Sequence, residues 1–388
     1  MAHGPADQPR IFRLYALVAL AFSTSFAITI VVATWVYYSL APAVDFASFW
    51  AAGRLALMGT PALAYDIAAH RAVEMTVAHM GGLMPFPYPP PFLFLVALIA
   101  FHPFWLAYLL WILANSALYF AATRSFTTVR NAFAHPSAIV NAIIGQNGLL
   151  TSGIFIFGVS LLTTRPFVAG AVLGLLIIKP QLAILVPVAL VAARRWDSVA
   201  GAALSSILLL TMAWLVFGTE SYRAFLGITG QYAGFMDLSR WNWSELASLF
   251  SFLRFFGIPQ PVALAIQAVA ALAAAILTWR AWAADDEERG AILASATMLV
   301  SPYILTYDSM LLIWPLAVFL NDRTRPWRAA IVWLCLLGPF LAYFGFYPGP
   351  NLTPVAAGFS LAWLSFYSGK RKAAAPFGTA APQSKRVA

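Results

Sequence analysis

The chain has 388 residues, of which 62% are hydrophobic and only 10% are charged. In soluble domains roughly a quarter of all residues are charged, so this composition excludes an ordinary soluble enzyme and indicates an integral membrane protein. The formal net charge is +9, but the Lys and Arg residues lie in short clusters between apolar runs, which argues against nucleic-acid binding. Cys335 is the single cysteine, so neither an intrachain disulfide nor a cysteine metal site is expected.

Apolar runs of membrane-spanning length recur along the chain. The first run follows Arg10 and Arg13 and lacks a small-residue cleavage pattern, so we expect an anchor and not a cleaved signal. The predicted full spans are 12–39, 84–101, 103–122, 148–163, 199–217, 261–279 and 329–346. Shorter runs form two pairs broken by a polar apex, 166–178 with 181–193 and 291–301 with 309–320, and a last run covers 355–367. The expected fold is an all-α polytopic bundle.

The distribution of Lys and Arg predicts the orientation of the bundle. With twelve crossings and both termini in the cytoplasm, fifteen of the 23 basic residues lie on the cytoplasmic side. Merging the first short pair into one span would separate Arg165 from Arg194, so we expect the chain to reverse at each apex. Segments 41–83, 218–260 and 347–354 then become extracytoplasmic loops. Residues 1–369 form one membrane domain in this scheme, and 370–388 form a disordered basic tail in the cytoplasm.

Asp45 directly follows the first predicted span and lies among Phe46, Phe49 and Trp50. A carboxylate at the edge of a bilayer is costly, and such residues are frequently functional. One interpretation is a general base whose pKa is tuned by its apolar surroundings. The other is a helix N-cap or a solvated loop start.

Polar residues at the two apices and before the fourth span are further candidates. The charge of Lys179 in an apolar hairpin is unfavourable in free energy, unless the side chain binds an anion such as a phosphate or its ammonium group reaches the membrane surface. The amides of Gln146, Asn147 and Gln181 can bind a phosphate or a sugar, and they equally suit hydrogen bonds between helices. Asp308 can orient Lys179, bind a sugar hydroxyl, or form a structural ion pair.

The remaining candidates carry weaker signals. External basic residues include Arg54 and Arg240, and Trp241 beside Glu245 suits the apolar face of a sugar, although most tryptophans are expected in an interfacial belt. The histidines show no metal-ligand spacing, and surface or turn roles are expected for His70 and His135. Neither a Walker loop nor a GxGxxG motif is present, which argues against a soluble nucleotide donor.

Several motifs are informative when they are taken together in chain order: Asp45 and the aromatic residues after it, Phe86-Pro87-Tyr88-Pro89-Pro90-Pro91, Gly145-Gln146-Asn147, Lys179-Pro180-Gln181, Ser301-Pro302 and Tyr307-Asp308. With these motifs the chain resembles glycosyltransferase family 87. The resemblance implies the GT-C architecture and transfer of a hexose, with mannose expected, from a polyprenyl-phosphate donor to an extracytoplasmic lipid or glycan. It implies inversion at the anomeric carbon and Asp45 as the general base. The expected location is a bacterial inner membrane.

In an enzyme of this kind, the chemistry of the other candidate residues suggests further roles. Donor contacts are expected from Lys179, Gln181, Gln146, Asn147, Tyr88 and Arg54. Acceptor or supporting contacts are expected from Tyr307, Asp308, Arg240, Trp241 and Glu245. No cofactor and no strict metal requirement are implied. Mannosyltransferases of this family often carry a histidine after Ser-Pro, whereas Tyr303 to Asp308 contain none, so the acceptor stays open.

A secondary transporter or lipid flippase is the alternative. Transporters often contain broken helices with charges at the bilayer midplane, and the two short pairs fit that pattern. Lys179 and Asp308 at mid-depth on two pseudo-symmetric halves would favour transport. Polar apices on one face favour an enzyme with a one-sided active site.

Overall fold

The computed structural model of the protein describes residues 44–77, 84–236, 240–322, 325, 327–343 and 349–374. In this part of the chain the regular structure is helical, with one isolated antiparallel bridge between Leu246 and Leu305. The predicted all-α fold is therefore confirmed. The predicted first span, 12–39, lies outside the described residues.

The α-helices begin and end as follows. The first group contains α1 Val44–Leu57, α2 Ile67–Glu74, α3 Pro91–Ala100, α4 Phe104–Thr123, α5 Val129–Phe133, α6 Pro136–Ile144 and α7 Gly148–Ser160. The second contains α8 Pro166–Gly174, α9 Leu185–Ala192, α10 Trp196–Met236, α11 Arg240–Glu245, α12 Leu249–Phe255 and α13 Gln260–Ala283. The last contains α14 Arg289–Thr297, α15 Ile313–Asn321, α16 Trp327–Tyr343 and α17 Thr353–Ala374.

Three of these helices are long and apolar enough to cross a membrane: α4, α10 as far as Gln231, and α13. At 1.5 Å per residue, the 20 residues of α4 reach about 30 Å, the thickness of the hydrocarbon core. They correspond to the predicted spans 103–122, 199–217 and 261–279. Shorter apolar helices occupy most of the other predicted runs. Twelve crossings and the orientation of the termini stay predictions.

The chain reverses at both predicted apices. A short 3-10 turn ends at Ile178, Lys179 is not helical, and α9 returns toward Arg194. Helices α8 and α10 run parallel, because a Cβ added at Gly170 would overlap the carbonyl oxygen of Ser198 and one at Gly174 would reach Ala202. The two flanks of the α8–α9 pair, Arg165 and Arg194, therefore lie at the same end of the bundle, as predicted.

The two ends of the bundle carry different side chains. The Asp45 end holds Asp45, Gln146, Lys179 and Asp308, which are linked by hydrogen bonds. The arginine end holds Arg165, Arg194, Arg195 and Arg289. Helix α10 starts at the arginine end, and α13 ends there.

The predicted span 84–101 is wrong. Helix α3 starts only at Pro91, because the prolines before it remove backbone donors and hold the chain extended. It packs along α1, where a Cβ at Gly53 would overlap the carbonyl oxygen of Val96. The indole of Trp50 on α1 donates to the carbonyl of His102 at 3.1 Å. Helix α3 therefore stays at the Asp45 end and does not cross the bundle.

Helix α4 consequently runs away from the Asp45 end, opposite to the predicted direction. Trp111 donates to the carbonyl of Gly145 at 2.9 Å, and Gly153 further along α7 lies against Leu118 further along α4. Helices α4 and α7 are thus parallel. No predicted span covered α5 and α6, which return the chain between α4 and α7. Arg124, which the twelve-span scheme placed outside, lies at the arginine end.

The two long segments predicted as extracytoplasmic loops are largely helical in their described parts. Helices α1 and α2 lie within 41–83. The segment 218–260 continues α10 past a kink at Gly218, where φ is +76°, and adds α11 and α12. Helix α17 also extends to Ala374, into the segment predicted as a disordered tail; residues 375–388 lie outside the described part.

Candidate active site

A cavity of about 470 Å³ opens at the Asp45 end. Its walls come from α1, from the proline-rich segment before α3, from the two apices and from α10 beyond its kink. The predicted site residues on its lining are Asp45, Tyr88, Gln146, Lys179, Gln181, Glu245 and Tyr307. Its apolar lining includes Phe49, Ile178, Ile184, Phe225 and Leu246. The structure therefore brings most of the predicted residues to one cavity.

Asp45 lies in the first turn of α1 and is only 8% exposed. Its Oδ2 accepts a hydrogen bond from Nε2 of Gln146 at 2.8 Å. The pKa of Asp45 is raised to about 6, mainly because the carboxyl group is buried. The hydrogen bond from Gln146 lowers this pKa in part, the negative charge of Glu74 raises it, and the positive charge of Lys179 lowers it. Among the described residues no backbone N–H donates to this carboxylate, which argues against the N-cap interpretation.

Two adjacent amides connect Asp45 to the rest of the site. Gly145 ends α6 with φ +75°, and a Cβ there would overlap Phe46, so only glycine fits this turn. The turn directs Gln146 toward Asp45. The side-chain oxygen of Gln146 accepts from the hydroxyl of Tyr88 at 3.3 Å and from the backbone N–H of Asn147 at 3.1 Å.

Lys179 is 2% exposed, so its ammonium group does not reach the membrane surface. Its Nζ donates to Oδ1 of Asn147 at 3.0 Å and to Oδ1 of Asp308 at 2.5 Å. One of the alternatives for Asp308, an ion pair with Lys179, is therefore present. Nζ also lies 4.6 Å from the centre of the Tyr307 ring. An ammonium group has three donors, so one N–H is left for a ligand in the cavity.

The Asp308 side chain is fixed by its own apex. The backbone N–H of Leu305 donates to Oδ2 of Asp308 at 3.3 Å. Asn141 on α6 donates to the carbonyl of Tyr307 at 3.0 Å, and its oxygen accepts from the N–H of Gly148 at 2.7 Å. These bonds attach the second apex to α6 and α7 and hold Asp308 at Lys179.

Five predicted residues are not among those that line the cavity in the described structure. Asn147 and Asp308 instead accept hydrogen bonds from the ammonium group of Lys179. Arg54 lies near the other end of α1, where its guanidinium stacks on Trp50 at 5.6 Å, and it does not line the cavity. The predicted donor contact of Arg54 is therefore not supported. The backbones of Arg240 and Trp241 belong to α11, but their side chains lie outside the described part of the structure, so their roles stay predictions.

The sequence did not single out a buried group beside Asp45, formed by Ser48, His70 and Glu74. The surface or turn role expected for His70 is wrong, because this side chain is 1% exposed. Its Nε2 lies 3.1 Å from Oγ of Ser48 and 3.5 Å from Oε1 of Glu74. Ser48 lines the cavity one turn after Asp45. The i, i+4 spacing of His70 and Glu74 on the short amphipathic helix α2 was the available signal.

The hydrogen-bond roles in this group follow from its geometry. Nε2 of His70 faces the carboxylate of Glu74, so we assign the proton to Nε2. The oxygen of Ser48 then accepts from His70. Its own proton points to the carbonyl of Pro85, at a long 3.4 Å, or to a ligand in the cavity. His135, also expected at the surface or in a turn, caps α6 and is fully buried.

The comparisons with known proteins agree with the motifs. The sequence model of glycosyltransferase family 87 matches residues 86–302, more than half of the chain, and confirms the expected family. The matched part contains Gln146, Asn147 and Lys179, whereas Asp45 and Asp308 lie outside it. Neither a curated protein nor a solved structure matches the chain.

Proposed function

The chain belongs to glycosyltransferase family 87 and is a membrane glycosyltransferase, and we propose that it moves a hexose, with mannose expected, from a polyprenyl-phosphate donor. The acceptor is a hydroxyl group of a lipid or glycan on the extracytoplasmic side. The Asp45 end of the bundle faces that side in this proposal. No cofactor and no metal ion take part.

One observation carries the proposal. A buried carboxylate, Asp45, and a buried ammonium, Lys179, line the same cavity and are joined through the consecutive amides of Gln146 and Asn147. The transfer of a sugar from a phosphate needs both groups: a base for the acceptor hydroxyl and a positive charge for the leaving phosphate. The carboxylate of Asp308 pairs with Lys179 and fixes its position.

The reaction is a single displacement. Asp45 takes the proton of the acceptor hydroxyl as its oxygen attacks the anomeric carbon. The bond from that carbon to the phosphate oxygen breaks, and polyprenyl phosphate leaves with the electron pair. Because the hydroxyl attacks from the opposite face, the configuration at the anomeric carbon is inverted. The remaining N–H of Lys179 donates to the phosphate, whose negative charge increases during the step.

The cavity suits a hexosyl phosphate on a lipid. Its volume of about 470 Å³ lies within the range of about 300 to 1,000 Å³ that is common for small-molecule sites. Polar groups of Asp45, Ser48 and Gln146 are available to sugar hydroxyls, and Ile178, Ile184 and Phe225 provide apolar surface for the first prenyl units.

A donor-choice assay tests this function. The purified full-length chain is incubated in lipid nanodiscs with labelled polyprenyl-phosphate mannose or glucose, or with GDP-mannose or UDP-glucose, and with a membrane lipid extract as the acceptor source. We expect product only from a polyprenyl-phosphate hexose, and the same rate with a metal chelator. Turnover of a nucleotide sugar would contradict the donor class. Movement of labelled lipid between leaflets without product would favour the flippase alternative.

A further inference from the structure

A second cavity, of about 860 Å³, opens at the arginine end, where α9, α10 and α13 meet. It is remote from the site above: Ile184, before α9, lines the first cavity, and Ala192, the last residue of α9, lines the second. The polar and aromatic residues of its lining are Arg194, Arg195, Trp196, Trp279, Trp282 and Asp285.

Positive charge is in excess on this lining. Arg194 is exposed and Arg195 is half-buried, and within the described chain neither arginine forms an ion pair. The one lining carboxylate, Asp285, instead pairs with Arg289. Burial lowers the pKa of Arg289, and the nearby positive charge of Arg195 lowers it further. Like charges therefore face each other here, and an anion would relieve their repulsion.

The backbone at the cavity is unusual. In the described part of the chain, two residues other than glycine have left-handed φ angles: Arg194 at 53° and Asp285 at 50°. They belong to two different connections, yet both line this cavity. Such conformations cost energy and concentrate at binding sites, and an arginine has no intrinsic preference for them. The turn at Arg194 places two consecutive arginines on the cavity wall.

The aromatic residues place the cavity at the membrane surface. Trp196 begins one membrane-length helix and is 59% exposed, while Trp279 lies near the end of another and is 48% exposed. Exposed indole rings at the ends of spanning helices lie at the level of the lipid headgroups. The occupant therefore has access from the bilayer as well as from water.

We propose that this cavity binds the phosphate group of an anionic phospholipid, with Arg194 and Arg195 as the phosphate ligands. Guanidinium groups match phosphate oxygens in pairs, and basic pockets between spanning helices are suited to anionic headgroups. Trp196 and Trp279 then contact the acyl chains close to the headgroup. The site is separate from the catalytic cavity, so this inference does not depend on which sugar donor the enzyme uses.

Binding of lipid to paired charge variants tests the proposal. The full-length protein in a neutral detergent is titrated with short-chain phosphatidylglycerol, short-chain phosphatidylcholine or inorganic phosphate, and bound lipid is measured by native mass spectrometry together with thermal stability. The test variant is Arg194→Asn with Arg195→Gln, because asparagine tolerates the left-handed conformation. The control is Arg165→Gln with Arg280→Gln, which removes the same charge from exposed positions at the same end that do not line the cavity.

We expect phosphatidylglycerol to bind and stabilise the parent protein and the control variant. Its affinity for the test variant should be lower by roughly tenfold or by more. Arg195→Lys, which keeps the charge but loses the paired geometry, should bind phosphatidylglycerol more tightly than the test variant and less tightly than the parent protein. Equal binding by the test variant, or an equal loss in both double variants, would overturn the site. Equal stabilisation by inorganic phosphate or by phosphatidylcholine would overturn the assignment to an anionic lipid.

Discussion

Among single residues, the protonation state of Asp45 controls the proposed reaction. Its pKa of about 6 lies above the ordinary value of 3.8, mainly because of burial. The base is active only when it is ionised, so kcat/KM should fall as the pH decreases through about 6. A pH profile of transfer in nanodiscs measures this midpoint.

The Glu74→Gln variant separates Asp45 from other titrating groups. The negative charge of Glu74 raises the pKa of Asp45, so removing it should shift the acid midpoint to lower pH. The exposed Asp197, at the arginine end, provides a control as Asp197→Asn, which should leave the profile unchanged. A midpoint that stays fixed in Glu74→Gln would show that the titrating group is not Asp45.

The role of Lys179 requires a variant that leaves no buried charge behind. Removing Lys179 alone would leave Asp308 unpaired, which costs about 3 to 5 kcal/mol of stability. We therefore combine Lys179→Met with Asp308→Asn. Loss of a charged hydrogen bond of about 1.5 to 3 kcal/mol should raise the donor KM by about one to two orders of magnitude.

Folding and donor binding are distinguished by measuring both. The thermal midpoint of the Lys179→Met, Asp308→Asn variant reports on the fold, and the donor KM reports on the phosphate contact. A lowered midpoint with an unchanged donor KM would mean that the ion pair is structural, one of the alternatives that the sequence left open.

The sequence predicted Asp45, Gln146, Asn147 and Lys179 on one face because each is a polar residue at the edge of an apolar run. It offered a contact between Lys179 and Asp308 as one alternative, but it did not predict that Asn147 also accepts from Lys179, since this contact depends on how the connection before α7 approaches the first apex. The group around His70 was missed because α2 has only eight residues and gives a weak periodic signal.

At the scale of helices, close contact between α8 and α10 positions the first apex. Gly170 and Gly174 form a small-xxx-small pattern that lets the two backbones touch, as in many membrane helix pairs. A side chain at Gly170 would strike the backbone of Ser198, which cannot move aside. The position of Lys179 at the tip of α8 thus depends on a residue remote from the cavity.

Gly170→Leu should accordingly destabilise the protein by about 1 to 3 kcal/mol or more, as expected for overpacking. Gly227→Leu is the control, because a side chain at Gly227 meets nothing within 4 Å. The thermal midpoint in detergent measures both. If Gly170→Leu were as stable as Gly227→Leu, the packing of α8 on α10 would be incorrect.

The sequence predicted the reversal at each apex, because one continuous span in place of the first short pair would have separated Arg165 from Arg194. It failed at α3, where an apolar composition concealed the effect of consecutive prolines on the backbone. It also missed α5 and α6, since neither is long enough to be recognised as a span. Each of these two errors reverses the direction of the chain once relative to the prediction. Together they leave the direction of α7, which starts at the Asp45 end, as predicted.

At the scale of the whole molecule, the two ends carry different charges and different cavities. We predict that the Asp45 end is extracytoplasmic, and the position of Arg124 at the arginine end strengthens the positive charge of the cytoplasmic side. In a Cys335→Ser background, Met58→Cys reports on the Asp45 end and Arg165→Cys on the arginine end; both positions are exposed.

A membrane-impermeant thiol reagent added to intact cells should label Met58→Cys and spare Arg165→Cys. Permeabilised cells provide the control in which both variants are labelled. The reverse pattern in intact cells would place the catalytic cavity in the cytoplasm and contradict the predicted orientation.

In the proposed reaction, Asp45 is the base for transfer from a polyprenyl-phosphate hexose. Asparagine in its place keeps the size and a hydrogen bond with Gln146 but cannot take a proton at neutral pH. Because the pKa of Asp45 is raised in the folded protein, its ionisation lowers the unfolding free energy as the pH rises from about 4 to about 6, so Asp45→Asn should be at least as stable at neutral pH.

The most direct test is the single-turnover rate of purified Asp45→Asn with bound polyprenyl-phosphate hexose, compared with the parent protein in the same nanodiscs. The rate should fall by about 10² to 10⁴, with donor affinity and thermal midpoint retained. A folded Asp45→Asn protein that transfers the hexose at the parent rate would contradict the account.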